Sequence, residues 1–296
     1  MKVSAPAKIN LFLHVTGRRP DGYHTLFTLM VPVSLYDELE IDTGPGSIRV
    51  ACDDPRLPGG RHNLAFQAAS VFLQHCENLP GVQPRPGISI FIRKQIPLAA
   101  GLGGGSSDAA AVLTGLNRHY GYPFSPIELN RMGLEIGADV PFFLYGRPAV
   151  VTGIGEIIAP YPHSLPYHIL LVFPGIRVST AQVYKNLDLG LTNCEKKLKD
   201  FVLKDRPFDA AFHSCNDLES VTLAKYPQVK AAKTAVSGSG AQGVLMSGSG
   251  STIFGLFENV RAAQRAMRTL ERNSTSNWQL ILTELVAAAD DSRQFR

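Results

Sequence analysis

The sequence predicts an α+β protein built as two domains. Three observations carry that reading. The chain has 296 residues, and at about 100 to 200 residues per domain that length suits two domains. Hydrophobic residues make up 45% and charged residues 18%, which is ample core material and argues against disorder. Strand patterns and helical patterns alternate in both halves. A break falls at Tyr161-Pro162-His163-Ser164-Leu165-Pro166, so the expected domains are residues 1–163 and 164–296.

The elements follow in order. Ile9 to Val15 alternates in part, and Leu39 to Ile41 and Ile48 to Val50 are short apolar runs around the turn Thr43-Gly44-Pro45-Gly46; all three read as strands. Leu64, Ala68, Val71 and Phe72 recur at helical spacing, giving a helix over Asn63 to Gln74. Ile88 to Ile92 is a strand that leads into a glycine cluster, and Ala109 to Leu116 is a helix that Gly121 stops. Ser125, Pro126 and Glu128 form a capping box with proline at the first helical position, and that helix ends near Gly137. Ala149 to Ile158 reads as an apolar hairpin and Tyr167 to Phe173 as a strand. A lysine-rich helix around Lys196, Lys197 and Lys199 follows, then a second glycine cluster from Ser237 to Gly255. An amphipathic helix over Val260 to Glu271 and a strand over Gln279 to Glu284 close the chain.

Composition excludes several functions. No run approaches the roughly 20 apolar residues of a membrane span, and Lys8 and Asn10 interrupt the first apolar stretch, so neither a membrane partner nor a secretory signal is expected. Cys52, Cys76, Cys194 and Cys215 form no C-x-x-C, so neither a zinc site nor a disulfide framework is expected, and a reduced cytoplasmic setting is. The net charge is +4. Its only dense basic cluster, Lys196 to Arg206, reads as a solvated helix face, and without aromatic interleaving it predicts no nucleic-acid partner.

The 27 glycines are unevenly placed. The densest stretch runs Pro97-Leu98-Ala99-Ala100-Gly101-Leu102-Gly103-Gly104-Gly105-Ser106-Ser107-Asp108 and opens a helix. Glycines let successive N–H groups turn toward one point, and a helix start adds unpaired donors and a positive dipole end. Together they make a phosphate site, with Ser106 and Ser107 adding hydroxyls. No lysine lies between Gly101 and Asp108, which excludes a Walker loop, and Ser106 stands where a dinucleotide fingerprint needs its last glycine. No H-R-D segment supports a protein kinase. A plain glycine-rich turn capped by Ser106 is the bland alternative.

The stretch PLAAGLGGGSSDAA resembles the second signature of the GHMP kinase superfamily. PAKINLFLHVTGRRPDGYHTL (Pro6 to Leu26), NDLE (Asn216 to Glu219), GADVPFF (Gly137 to Phe143) and LMSGSGSTIF (Leu245 to Phe254) extend the resemblance over most of the chain. It implies a two-domain kinase with its active site in the cleft between the domains. ATP would be co-substrate, with Mg2+, and the other substrate a small molecule carrying a cytidine diphosphate group. The resemblance implies that Asp139 is the general base and that Lys8, in an otherwise apolar strand, pairs with it. A turn or cap aspartate and a solvent-facing edge lysine are the plain readings of these two residues. Asn10, Tyr23 and His24 would contact the substrate, with His24 and Tyr184 suited to a pyrimidine edge and face. Asn63 reads equally as an adenine contact or a helix cap. Gly248 and Gly250, in the second Ser-Gly-Ser-Gly copy, would approach substrate in a strand-turn-strand or strand-turn-helix edge. The first copy, Ser237 to Gly240, reads as a flexible connector. A non-catalytic nucleotide- or RNA-binding protein is the competing class.

Overall fold

The computed structural model describes residues 1–57, 59–77, 79, 87–192, 194, 207–273 and 277–286. The lysine-rich stretch read as a surface helix, and the chain's last residues, lie outside the described residues. The chain divides into two compact units. Unit 1 comprises Met1–Ala7, Leu35–Leu98 and Gly103–Gly146; unit 2 comprises Lys8–Ser34, Ala99–Leu102 and Arg147–Arg296.

Two long strands contribute to both units: β1 (Lys2–Arg18) and β2 (His24–Gly44). They are neighbours in a sheet. Each is far longer than the short runs legible in sequence. The middle of β1 is buried on both faces, Ala7 through Leu13 being continuous, and a strand covered twice shows no alternation to read.

In unit 1, the C-terminal half of β2 pairs antiparallel with β4 (Gly87–Arg93), Leu39 facing Ile92 and Ile41 facing Ile90. β3 (Arg49–Cys52) adds to β4 in parallel. Three helices pack together: α1 (Leu64–Cys76), α2 (Gly104–His119) and α3 (Pro126–Ile136). Phe72 of α1 meets Phe124 edge-on at 5.3 Å, a favoured aromatic geometry. The capping box at Ser125 forms as its sequence predicts, with Glu128 Oε2 accepting from the Ser125 N–H at 2.8 Å. A short helix absent from the sequence reading, α4 (Val140–Tyr145), follows. Its Pro141 resembles a strand breaker in sequence, yet the first helical turn has no internal use for that N–H.

Unit 2 holds the N-terminal half of β2 against β5 (Ala149–Gly153), which pairs with β6 (Ile157–Pro160) as the expected hairpin. β1 pairs in parallel with the two-residue β8 (Cys215–Asn216). A four-stranded antiparallel sheet is ordered β11 (Gln279–Glu284), β7 (His168–Phe173), β10 (Ile253–Phe257), β9 (Gly243–Met246). The short helices α5 (Thr180–Lys185), α6 (Ala210–His213) and α7 (Glu219–Lys225) and the longer α8 (Pro227–Ser237) and α9 (Val260–Asn273) complete it. Its core draws Leu13 and Val15 from β1, Leu170 and Val172 from β7, Val229 and Val236 from α8, and Ala263 and Leu270 from α9.

The first Ser-Gly-Ser-Gly copy begins the connection from α8 to β9, and its start is tied to the helix end. Ser237 ends α8, and the Gly238 and Ser239 N–H groups bond back to Thr234 O and Val236 O. The unpaired carbonyls of a helix end supply the partners that the sequence pattern hides.

Candidate active site

The segment between β4 and α2 carries the glycine loop, and its first half is fixed by four consecutive carbonyls. Ala99 O accepts from Val178 N at 3.2 Å, Ala100 O from Thr252 N at 3.1 Å and Leu102 O from Lys8 N at 3.0 Å. Gly101 O accepts from Ser247 Oγ at 2.8 Å. A trans peptide holds each N–H opposite the preceding C=O. Each N–H of residues 100 to 103 therefore points away from the partner of its own peptide's carbonyl, which leaves it turned from that contact. Gly101 has φ +79°, and a Cβ there would lie 2.1 Å from Ser247 O. The loop can approach the second glycine motif this closely only without a side chain.

In its second half, the loop has already become helix. Gly103, at φ +73°, is the N-cap of α2 and provides no side-chain cap. Gly104, Gly105, Ser106 and Ser107 are thus the first turn of α2, where the sequence reading has loop. This first turn presents its N–H groups and the positive dipole end. Ser107 Oγ and Asp108 Oδ1 are buried without a hydrogen-bond partner among the described residues. Asp108 Oδ2 bonds Lys94 Nζ at 2.9 Å, and the same ammonium bonds Asp37 Oδ2 at 2.5 Å. Burial pushes the Asp108 carboxyl up to about 7; Lys94 opposes the rise and Asp37 adds to it. Asn63 Oδ1 accepts from Ala65 N at 2.9 Å, so this side chain caps α1.

Within unit 2, β1 places Lys8 and Asn10 on one face. Lys8 is 4% exposed, which sets aside a solvent-facing edge lysine. Its ammonium donates to Asn10 Oδ1 at 2.6 Å, Asn10 Nδ2 donates to Thr28 Oγ1 at 2.9 Å, and Thr28 Oγ1 donates to Phe12 O. Gly248 joins them: a Cβ there would lie 3.4 Å from Lys8 Nζ and 3.6 Å from Asn10 Oδ1. Gly248 and Gly250 sit in the turn between β9 and β10, the strand-turn-strand alternative. His24 and Tyr184 stack, with centroids 5.0 Å apart and planes 28° from parallel. Desolvation, helped by the charge of Arg18, lowers the His24 pKa below its ordinary 6.5. Tyr23 is exposed. In unit 1, Asp139 stands at the N-cap position of α4 with helical backbone angles, and its side chain makes no capping hydrogen bond. It is half-buried.

NDLE is part of the sequence resemblance, but sequence reasoning gave its residues no role, and these hold the pieces. Asn216 Nδ2 donates to Met246 O at 2.8 Å and Gly248 O at 2.7 Å, and Glu219 Oε1 accepts from Met246 N at 2.8 Å. Asp217 accepts from Val15 N and meets His14 Nδ1 at 2.7 Å. The NDLE segment therefore braces the second glycine turn and β1. Its run of polar residues was the available signal. Asp37 and Lys94 carried none, because folding alone joins them to the loop.

Residues 63–147 match the GHMP kinases N terminal domain family and residues 198–275 the GHMP kinases C terminal family. The first match begins at the α1 cap and includes the whole glycine loop. A 4-diphosphocytidyl-2-C-methyl-D-erythritol kinase of Syntrophotalea carbinolica is 45% identical over 95% of this chain and 98% of its own. One of Geobacter sulfurreducens is 43% identical over 93% of this chain and 96% of its own. A crystal structure of 4-(cytidine 5'-diphospho)-2C-methyl-D-erythritol kinase superposes with a TM-score of 0.73 at 38% identity, covering 96% of this chain and 99% of that one. A homoserine kinase from Cytophaga hutchinsonii has a similar TM-score of 0.74 at 21% identity, which shows a shared fold alone. Fold is thus common to several kinases, while sequence over nearly the full length singles out one group among them: the chain belongs to the GHMP kinases, in the family of 4-diphosphocytidyl-2-C-methyl-D-erythritol kinases.

Proposed function

We propose that this kinase transfers the γ-phosphoryl group of ATP to the 2-hydroxyl of 4-diphosphocytidyl-2-C-methyl-D-erythritol, a step of non-mevalonate isoprenoid precursor biosynthesis. The observation that carries the substrate is the agreement with relatives of that name over nearly the whole of both chains. The loop geometry supports the donor: a glycine-rich segment whose carbonyls are already engaged, leading into a helix start with no side-chain cap, suits a polyphosphate.

Phosphoryl transfer asks for positioning and charge stabilisation. Residues 97 to 107 cradle the phosphates in this reading, and Asn63 lies toward the adenine. The hydroxyl must lose a proton, and Asp139 is the acceptor. Lys8 supports it, an ammonium that favours the ionised carboxylate. Asn10 and Tyr23 hold the substrate, His24 and Tyr184 its cytosine, and Gly248 and Gly250 allow close approach. The Ser107 hydroxyl, without a partner among the described residues, is a hard oxygen donor and fits Mg2+, which commonly takes few protein ligands beside substrate phosphates. When bound, the ion would neutralise phosphate charge as it moves to the acceptor.

The test is ADP release with three acceptors. Stimulation by diphosphocytidyl-methylerythritol and none by mevalonate or homoserine is expected. Silence with the first overturns the reading.

A further inference from the structure

The buried Lys94 group has no part in the mechanism above, yet it flanks the loop on both sides. Asp37 accepts from Gln95 N at 2.7 Å and Ile96 N at 2.9 Å through one oxygen, and from Lys94 Nζ through the other. These donors form the strand end just before the loop. Lys94 then reaches past the loop to Asp108, 14 residues on, in the second turn of α2. The three side chains are 3%, 0% and 2% exposed. The ammonium also lies 3.2 Å from where a Cβ on Gly104 would stand, so the first turn of α2 rests directly on it.

We propose that Lys94 is a positioning residue of the phosphate loop, tying the strand before it to the helix after it through Asp37 and Asp108 and so fixing the spacing of the loop's amide groups. Stability alone is a poor reason for such a group. Desolvating three charges is expensive, and apolar residues of similar volume often serve a core as well or better. A precise separation between two backbone segments is something an apolar cluster supplies less well, because directional bonds set distances that packing does not. A loop whose donors must meet several phosphate oxygens at once depends on that separation.

The proposal rests on the ATP-dependent reading, and the experiment separates the two. ATP with Mg2+ is titrated calorimetrically into the wild type and the variants K94M, D108A and D108N, and KM is measured for both substrates. K94M and D108A are expected to weaken ATP binding about tenfold or more, the scale of a lost charge-assisted hydrogen bond. The KM of the cytidine substrate should stay within about twofold. D108N retains an oxygen for Lys94 and should recover most of the loss seen in D108A, which also decides the question if K94M fails to fold. A purely structural role would lower Tm in D108A and D108N while ATP affinity stayed within about twofold of wild type, and that result overturns the proposal. A wild type that binds no ATP overturns the donor assignment instead.

Discussion

The Asp139 side chain makes no capping hydrogen bond to α4, so removing its charge forfeits no helix cap, and a parallel Tm measurement tells a loss of chemistry from a loss of folding. Asp139→Asn keeps the shape and cannot accept the hydroxyl proton. We expect kcat to fall by about 10²- to 10⁴-fold, the usual worth of a positioned base, with ATP binding unchanged by calorimetry; turnover within a few-fold of wild type would remove Asp139 from that role. His24 gives a second test at this scale. Its pKa lies below the ordinary value through desolvation first and Arg18 second, so the ring is neutral at pH 7 and gains a proton only as pH falls further. If the neutral ring holds cytosine, kcat/KM for the cytidine substrate should fall on the acid side, with the midpoint of that limb below the ordinary histidine value. In His24→Gln that limb should disappear, because an amide does not titrate there; an identical acid limb in the variant would assign it elsewhere.

At the scale of elements, what was legible depended on whether the signal was local. Ser125-Pro126-Glu128 and Asn63 announce their helices because a cap is made by neighbours in sequence. The glycine loop was legible for the same reason. Its boundary was not: the helix begins at Gly104 because tertiary partners fix the residues before it, while glycine's poor helix propensity argues otherwise. The bracing of Gly101 by Ser247 spans 146 positions and leaves no trace in either segment. That brace predicts a graded series. Ser247→Ala leaves the Gly101 carbonyl short of a partner, at about 1–3 kcal/mol, and should lower Tm and raise the ATP KM together. Gly101→Ala forces a Cβ into Ser247 O at a left-handed φ and should be worse on both counts. Equal ATP KM values in all three proteins would show that the brace does not shape the loop.

For the molecule as a whole, the chain's order and its compact units disagree in an instructive way. Composition places a break near residue 163, yet unit 2 also claims Lys8–Ser34 and Ala99–Leu102. Leu13 and Val15 of β1 are fully part of the core built by β7, α8 and α9, and β1 is the partner of β8 through Phe12 and Leu13. A fragment of residues 164–296 would lose both side chains, each worth about 1.5–3 kcal/mol of burial, and would expose an unpaired strand. β5 and β6 go as well, and with them the pairing to residues 26–30. Against the roughly 5–15 kcal/mol by which a domain is stable, those losses should leave no independently folded state. Expressed alone, the fragment should show no cooperative thermal transition by circular dichroism, whereas adding the 1–163 fragment should restore one. A sharp transition in the isolated fragment would show that the β1 contribution is dispensable, and that the sequence break near 163 divides the protein where it folds.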